Sequence, residues 1–323
     1  MIAEVPNFAP ETVAQYAREL YGIEGQITPL VSFEDQNALI TGPQARYVFK
    51  IANRRWDRQL LEMQHQAMQL LASNAPQLSF PVPVKTRSGD MLTQIDGFSV
   101  YVLSYVEGVV LSSGVKSAAL YRDAGRFLGQ LSRSLQGFNH PSSERPGYLW
   151  DLDNVIGCRA HLDDVVDNHN RDRIARLFTH YENCVVPQLC GLRKAVIHGD
   201  ANEHNLIIDG ANPKHMHGLI DFGDMVYSRQ VNELAIGLAY LLLDEADIGM
   251  AATAIIEGYC AEFELHDNEL AVLYELAAMR LVTSMVMSSH EAKKYPDNSY
   301  ILTTLADGQK LLQQLEVEKF IFQ

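Results

Sequence analysis

Hydrophobic and polar positions follow two rhythms along this chain. Up to about residue 106, short period-two runs predominate: Ile27–Phe33, Asn37–Thr41 and Arg46–Ile51, the last with Tyr47, Phe49 and Ile51 on one face and Val48 and Lys50 on the other. Met91–Gln94 and Ser99–Tyr105 flank the turn dipeptide Asp96-Gly97 and predict a hairpin. Two helical patterns interrupt these strands. One runs from Pro10, suited to a first helical turn, to Leu20. The other spans Trp56–Leu71, with Leu60, Met63, Ala67, Leu70 and Leu71 on one stripe.

Beyond Gly108 the period lengthens to that of a helix. Helices are expected over Ser117–Leu135, Asp151–His161, Arg171–Cys190, Val231–Leu243, Gly249–Phe263, Asn268–His290 and Tyr300–Glu318. An island from Ala195 to Tyr227 breaks the run, with short strands at Leu206–Ile208 and Gly218–Ile220 around the polar turn Gly210-Ala211-Asn212-Pro213. The expected architecture is α+β and two-lobed: an antiparallel-sheet lobe over 1–106 and a mostly helical lobe over 107–323, with a hairpin region at 195–227.

Composition narrows the function classes. With 47 % hydrophobic and 20 % charged residues in 323, disorder, collagen and coiled coil are excluded as whole-chain readings. Asp plus Glu number 40 against 26 Lys plus Arg, a net charge of −14 that argues against a general nucleic-acid or membrane binder. The four cysteines form no CxxC pair and read as buried reduced thiols. The leading MIAEVPNFAPETV has neither a basic nor an apolar signal region, and the longest apolar run, Leu234–Leu243, reads as a core helix, so a cytoplasmic protein is expected.

The chemistry concentrates in the island. An apolar run ends in His198-Gly199-Asp200, and Asn205 stands five residues on, directly before a strand. Sixteen residues past Asn205 the second strand ends in Asp221-Phe222-Gly223. A hairpin can bring Asn205 and Asp221 side by side, and a carboxylate with an amide oxygen is hard-oxygen ligation for Mg2+. Asp200 then remains to accept a proton from an incoming hydroxyl, which completes a set of parts for phosphoryl transfer. The cation for the phosphates is sought upstream: Lys50 lies in a strand, and Glu62, twelve residues on, lies in the next helix, where it can hold the lysine. The polar stretch Ser32-Phe33-Glu34-Asp35-Gln36-Asn37 can cover phosphates but lacks GxGxxG; Asn37 there can equally be a turn former, and Glu62 a solvated helix residue.

HGDxxxxN followed by IDFGD, the lysine strand and the helix glutamate resemble the aminoglycoside phosphotransferase/choline kinase-like family of small-molecule kinases, over roughly residues 25–290. Asp35-Gln36-Asn37, Gly218–Met225 and Asn232–Ile236 resemble its hydroxylysine kinase branch. The resemblance implies a protein kinase-like fold and γ-phosphoryl transfer from ATP or GTP, with Mg2+, to a hydroxyl of an amino alcohol or hydroxylated amino acid. It implies Asp200 as catalytic base, Asn205 and Asp221 as Mg2+ ligands, Lys50 on the nucleotide phosphates with Glu62 orienting it, and Ser104-Tyr105-Val106 as the linker that meets the base; Ser32 and Asn37 belong to the covering loop. His198-Gly-Asp replaces the His-Arg-Asp of protein kinases and no Ala-Pro-Glu follows, which argues against a protein substrate and against control by phosphorylation.

Substrate contacts are sought at four positions. Asp224 can bind an ammonium or cap the next helix. Glu233 can meet substrate or anchor the loop. Arg280, inside the apolar stretch Leu276–Val282, needs an anionic partner, a substrate carboxylate or a protein one. Trp150 can wall the pocket or fill the core. A homoserine, choline or aminoglycoside kinase would use the same catalytic residues, and a nucleotide-binding pseudokinase is the alternative from another class. A zinc hydrolase built on His198, His204, His215 and His217 lacks the usual ligand spacing, and an esterase lacks GxSxG. The expected partners are a nucleoside triphosphate and a small hydroxylated amine or amino acid, with no nucleic acid and no membrane.

Overall fold

The computed structural model of the protein describes residues 5–32, 35–295 and 305–317. It forms two units: residues 1–107 with Gly218–Ile220, and residues 108–217 with 221–323.

The first unit opens with α1 (Pro10–Tyr16), which passes into a wider π turn at Ala17–Tyr21. Strands β1 (Gln26–Leu30), β2 (Gln36–Thr41) and β3 (Arg46–Ala52) follow, then α2 (Arg58–Asn74), whose first turn is capped by the Asp57 carboxylate on the Gln59 amide at 2.8 Å. Short β4 (Pro83–Val84), β5 (Thr93–Ile95) and β6 (Phe98–Ser104) complete an antiparallel sheet in the order β1-β2-β3-β6, with β4 and β5 sharing the far side of β6. Pro29 is tolerated because β1 is an edge strand. The alternation read from Arg46–Ile51 holds where it matters: Phe49 and Ile51 are fully buried with Ile40, Val100 and Val102, under Val13 and Ala17 of the first helix.

The second unit is mostly helical. A two-residue strand β7 (Val109–Val110) precedes α3 (Ala118–Ser134). The span Asp151–His161, expected as an α-helix, is a 3-10 helix over Leu152–Asp164, started by the Asp151 carboxylate on the Asp153 amide. The expected helix Arg171–Cys190 is α4 (Asn168–His180), then a π turn at Tyr181–Val185 and a 3-10 turn at Val186–Leu189. Pro187 has no amide hydrogen to continue the α ladder.

Four strands occupy the island where two were expected: β8 (Lys194–Ile197), β9 (Leu206–Ile208), β10 (Met216–Leu219) and β11 (Val226–Arg229). β11 pairs with β8 in antiparallel register, Val226 opposite Ile197, and β9 pairs with β7. Helices α5 (Val231–Leu241) and α6 (Ile248–Glu262) follow. The expected helix Asn268–His290 is divided into α7 (Asp267–Leu270) and α8 (Leu273–Lys294). The last element is α9 (Leu305–Val317); residues 300–304 and Glu318 of the helix expected there lie outside the described residues, as do Phe33 and Glu34 of the covering stretch.

Cys158 is buried as expected, with its thiol on the Leu149 carbonyl at 3.5 Å. Cys184 and Cys190 are exposed, because the residues that carry them lie in the irregular turns after α4 rather than on the buried face of a regular helix. Among the described residues no helix is long and apolar enough to cross a membrane.

Helices α3 and α6 approach so closely that glycine is required between them. A Cβ on Gly125 would stand 2.0 Å from the Ile255 carbonyl oxygen, and one on Gly258 would stand 2.1 Å from that of Arg122. Both neighbours are backbone and must shift as a unit. Gly125→Ala and Gly258→Ala are each expected to cost at least about 2 kcal/mol in urea unfolding. Gly210→Ala, on an open turn with nothing within 4 Å, is the control and is expected to change stability by less than about 0.5 kcal/mol.

Candidate active site

Asp200 stands at the end of the loop that follows β8, three residues past Ile197. Gly199 before it has φ +79°, and a Cβ there would fall 2.8 Å from the Asp224 carbonyl oxygen, so the turn admits only glycine without strain. The Asp200 carboxylate is held at both ends. Oδ1 accepts from Arg280 Nη2 at 2.8 Å, while Oδ2 accepts from Asn202 Nδ2 at 2.9 Å and Asn205 Nδ2 at 2.8 Å. His198 braces the turn from below: its Nδ1 accepts the Asp200 amide at 3.3 Å and its ring meets the edge of Phe222 with centroids 4.9 Å apart.

Arg280, on α8, is fully buried. Its Nη1 donates to the Trp150 carbonyl at 2.8 Å and its Nε to the Tyr240 hydroxyl at 3.2 Å, and both aromatic rings lie against the guanidinium, at 5.1 and 5.3 Å. The expected anionic partner is therefore a protein carboxylate, and that carboxylate is Asp200. Three edges of the guanidinium are already engaged, which corrects the alternative of a substrate carboxylate at Arg280. Burial raises the proton affinity of Asp200, and the charges of Asp224 and Asp221 add to it; Arg280 opposes them. The arginine is thus a counter-charge that offsets part of the cost of ionising a carboxylate beside two others.

Glu233 is corrected as well. It is wholly buried on α5, and its Oε2 accepts the His198 amide at 2.6 Å, so it anchors the Asp200 loop and cannot meet substrate. Burial pushes its carboxyl up to about 7. Asp224 is not a helix cap: α5 begins after Gln230, and the Asp224 carboxylate accepts the Tyr148 hydroxyl. It is half-buried and belongs to the loop fixed by Arg145, which donates to the carbonyls of Gly223 (3.0 Å) and Met225 (3.3 Å) and stacks on Tyr148. Trp150 is half-buried and covers Arg280. Tyr148, Arg145, Asn202 and Tyr240 were not evident beforehand: each sits in an ordinary-looking stretch, Tyr240 inside the apolar run Leu234–Leu243.

The residues present fit a hard divalent cation. Asn205 turns its amide nitrogen inward onto the Asp200 carbonyl and carboxylate, which reserves its oxygen for a ligand. Asp221 is exposed, and its Oδ1 accepts the Gly223 amide at 3.2 Å. It holds φ +63°, a left-handed backbone that aspartate tolerates better than most residues. A carboxylate and an amide oxygen, with room left for waters and phosphate oxygens, is the donor set Mg2+ takes.

In the first unit, Lys50 on β3 lies opposite Asn37 on β2 and Tyr101 on β6, with its ammonium 5.9 Å from the Tyr101 ring centroid. Asn37 Oδ1 is buried and has no partner among the described residues. Ser32 is exposed. Glu62, expected to orient Lys50, pairs instead with Arg58 at 2.8 Å on a half-exposed stretch of α2. The α2 residue that feels the lysine is His65, one turn nearer the buried stripe, its ring edge against Tyr101 at 4.7 Å. Burial, then the Lys50 charge, push His65 down to about 4. In the linker, the Ser104 amide donates to Val82 O at 2.9 Å and the Tyr105 amide to Arg46 O at 3.1 Å, so both are engaged within the sheet; Val106 is buried beside them.

Two outcomes are expected. Arg280→Leu takes the counter-charge from half-buried Asp200 and the donor from the Trp150 carbonyl and Tyr240 hydroxyl, and should lower stability by at least about 2 kcal/mol, with part of the loss recovered in the double variant carrying Asp200→Asn as well; urea unfolding of the four proteins measures the coupling. His65 refuses in the folded state a proton that the unfolded chain accepts below about 6.5, so stability should fall as pH drops from 6.5 toward 4. His65→Gln removes that part, and the wild type should lose about 2–3 kcal/mol more than the variant between pH 7 and pH 4.5.

Known proteins carry the same organisation. A profile described as the phosphotransferase enzyme family matches residues 26–275. The chain is 29 % identical to the hydroxylysine kinase of Xenopus laevis, over 98 % of this chain and 94 % of the relative, and 28 % identical to that of Mus musculus, over 96 % and 90 %. Among solved structures it resembles a microcompartment-associated aminopropanol kinase (TM-score 0.75, 17 % identity, 96 % of this chain and 99 % of the other) and an amicoumacin kinase in complex with AMP-PNP and Ca2+ (TM-score 0.70, 18 %, 98 % and 93 %). With the profile covering most of its length and its own α+β fold shared by kinases across nearly the whole chain, the protein belongs to the phosphotransferase enzyme family.

Proposed function

We propose that the protein is a small-molecule kinase that transfers the γ-phosphoryl group of ATP or GTP to a hydroxyl of a small hydroxylated amine, with hydroxylysine the first candidate acceptor. One observation carries the reading: Asp200 is fixed by Arg280, Asn202 and Asn205 in a loop anchored from within by Glu233, beside the exposed carboxylate of Asp221.

In this reading Asp200 accepts the hydroxyl proton as the substrate oxygen forms a bond to the γ-phosphorus and the bond from that phosphorus to the bridging oxygen of the nucleoside diphosphate breaks. The products are a phosphate ester, the diphosphate and a protonated Asp200 that returns its proton to solvent. Arg280 lowers the cost of the ionised carboxylate, and the two asparagines keep it from rotating. Asn205 and Asp221 would hold Mg2+, which when bound neutralises charge on the phosphate oxygens. Lys50 supplies a further cation for the nucleotide phosphates. With the Ser104 and Tyr105 amides engaged in the sheet, the linker's contact with the base falls to Val106.

The acceptor's ammonium suits Asp224, a half-buried carboxylate that accepts the Tyr148 hydroxyl. Since Arg280 is occupied by protein groups, an acceptor carboxylate gains nothing there, and an amino alcohol is held by the same amine contact. The relatives named hydroxylysine kinase, similar over nearly their full length, support the choice of first candidate.

The test is nucleoside-diphosphate release with Mg2+ and either donor, over hydroxylysine, aminopropanol, homoserine, choline and an aminoglycoside. Turnover of hydroxylysine is expected. Asp200→Asn should lower kcat by roughly 10²–10⁴-fold with nucleotide affinity unchanged. Turnover of an aminoglycoside alone would move the acceptor class. Tight nucleotide binding without transfer to any acceptor would support a nucleotide sensor, and an undiminished Asp200→Asn would reassign the base.

A further inference from the structure

One cluster of ligating side chains among the described residues lies away from the catalytic loop, and none of the histidines of the island belongs to it: His161, Asp164 and His290. His161 and Asp164 are three residues apart on the 3-10 helix Leu152–Asp164. Side chains at that spacing eclipse one another in a helix of three residues per turn, so both point to one side. His290 meets them from the last turns of α8, ten positions and so about 15 Å along the helix from Arg280.

The His290 Nδ1 lies 2.5 Å from Asp164 Oδ2, and the two imidazole rings face each other at 3.9 Å with a 37° tilt. One ligating atom from each residue falls within 4.8 Å of the other two. All three side chains are half-buried, and Lys293 holds the second Asp164 oxygen at 2.5 Å.

We propose that His161, Asp164 and His290 bind a divalent transition metal of the Zn2+ or Co2+ type. An ion pair between His290 and Asp164 needs no second imidazole. Two imidazoles and a carboxylate from two separate elements, converging within 4.8 Å, instead form a ready set of three donors. Two nitrogens and one oxygen suit borderline metals and exclude Mg2+, which prefers an all-oxygen shell. Metal–ligand bonds of roughly 2.0–2.2 Å set the donor atoms about 3 Å apart, a contraction that rotation of half-buried side chains supplies. Lys293 on the outer oxygen is the hydrogen-bond partner that ligating carboxylates commonly keep. The metal takes the place of the direct contact between His290 and Asp164 and clips the end of the 3-10 helix to α8. The Trp150 carbonyl just ahead of that helix already binds Arg280 of α8.

The test uses the full chain with Mg2+ in large excess, so that oxygen sites are occupied. Co2+ titration should give one equivalent bound per chain with the visible bands of histidine ligation, and a rise in Tm of about 5 °C at a hundredfold excess over Kd. His161→Ala and His290→Ala, on separate elements, should each abolish the bands and the rise, with kcat of His161→Ala within twofold of wild type. His161→Ala carries the test if His290→Ala fails to fold. Binding retained in the folded variants, or no Co2+ bound by the wild type beyond what Mg2+ displaces, would overturn the site and leave an ion pair closing the helix.

Discussion

A guanidinium with no solvent access has to be met by charge and by hydrogen-bond acceptors on every side, and the second unit is organised around meeting Arg280. Its partners come from three places, Asp200 after β8, Trp150 ahead of the 3-10 helix and Tyr240 near the end of α5, and all three are tied to α8, which carries the arginine itself. Removing any one leaves a buried charge or polar group unpaired, so these segments are fixed together more firmly than apolar contact alone would require. The position of Asp200 is the outcome of that fixing.

The same loop is held a second way. Glu233 reaches from α5 to the His198 amide, and Gly199 lets the backbone turn against the Asp224 carbonyl. Support therefore comes from within the fold, through buried side chains that bond the main chain, and the carboxylates of Asp221 and Asp224 stand near enough to Asp200 to raise its proton affinity.

Much of this was legible in the residue order. The ladder Arg46–Ile51, the turn at Asp96-Gly97 and the spacing from Asp200 through Asn205 to Asp221 are local patterns, and local patterns report on the backbone directly. What was not legible depends on distant segments. β8 and β11 are four-residue strands that only their mutual pairing defines. The choice of Asp200 as partner of Arg280 spans eighty positions. Glu62 and His65 lie on the same helix, and which of them feels Lys50 is decided by the rotation of α2 against the sheet, a quantity that the apolar stripe fixes only to within part of a turn. The three-residue period of Leu152–Asp164 was hidden for a different reason: its buried residues are Leu152, Val155 and Cys158, and a spacing of three suits the apolar face of either kind of helix.

The left-handed backbone at Asp221 bears on how the sequence can drift. Most side chains would strain that conformation, and the role assigned to the residue asks for an oxygen ligand. Glutamate satisfies the chemistry and not the backbone, glycine the backbone and not the chemistry; asparagine alone approaches both, with the charge lost. Exchange at this position is thus narrowed from two independent directions, the backbone it must adopt and the oxygen it must offer.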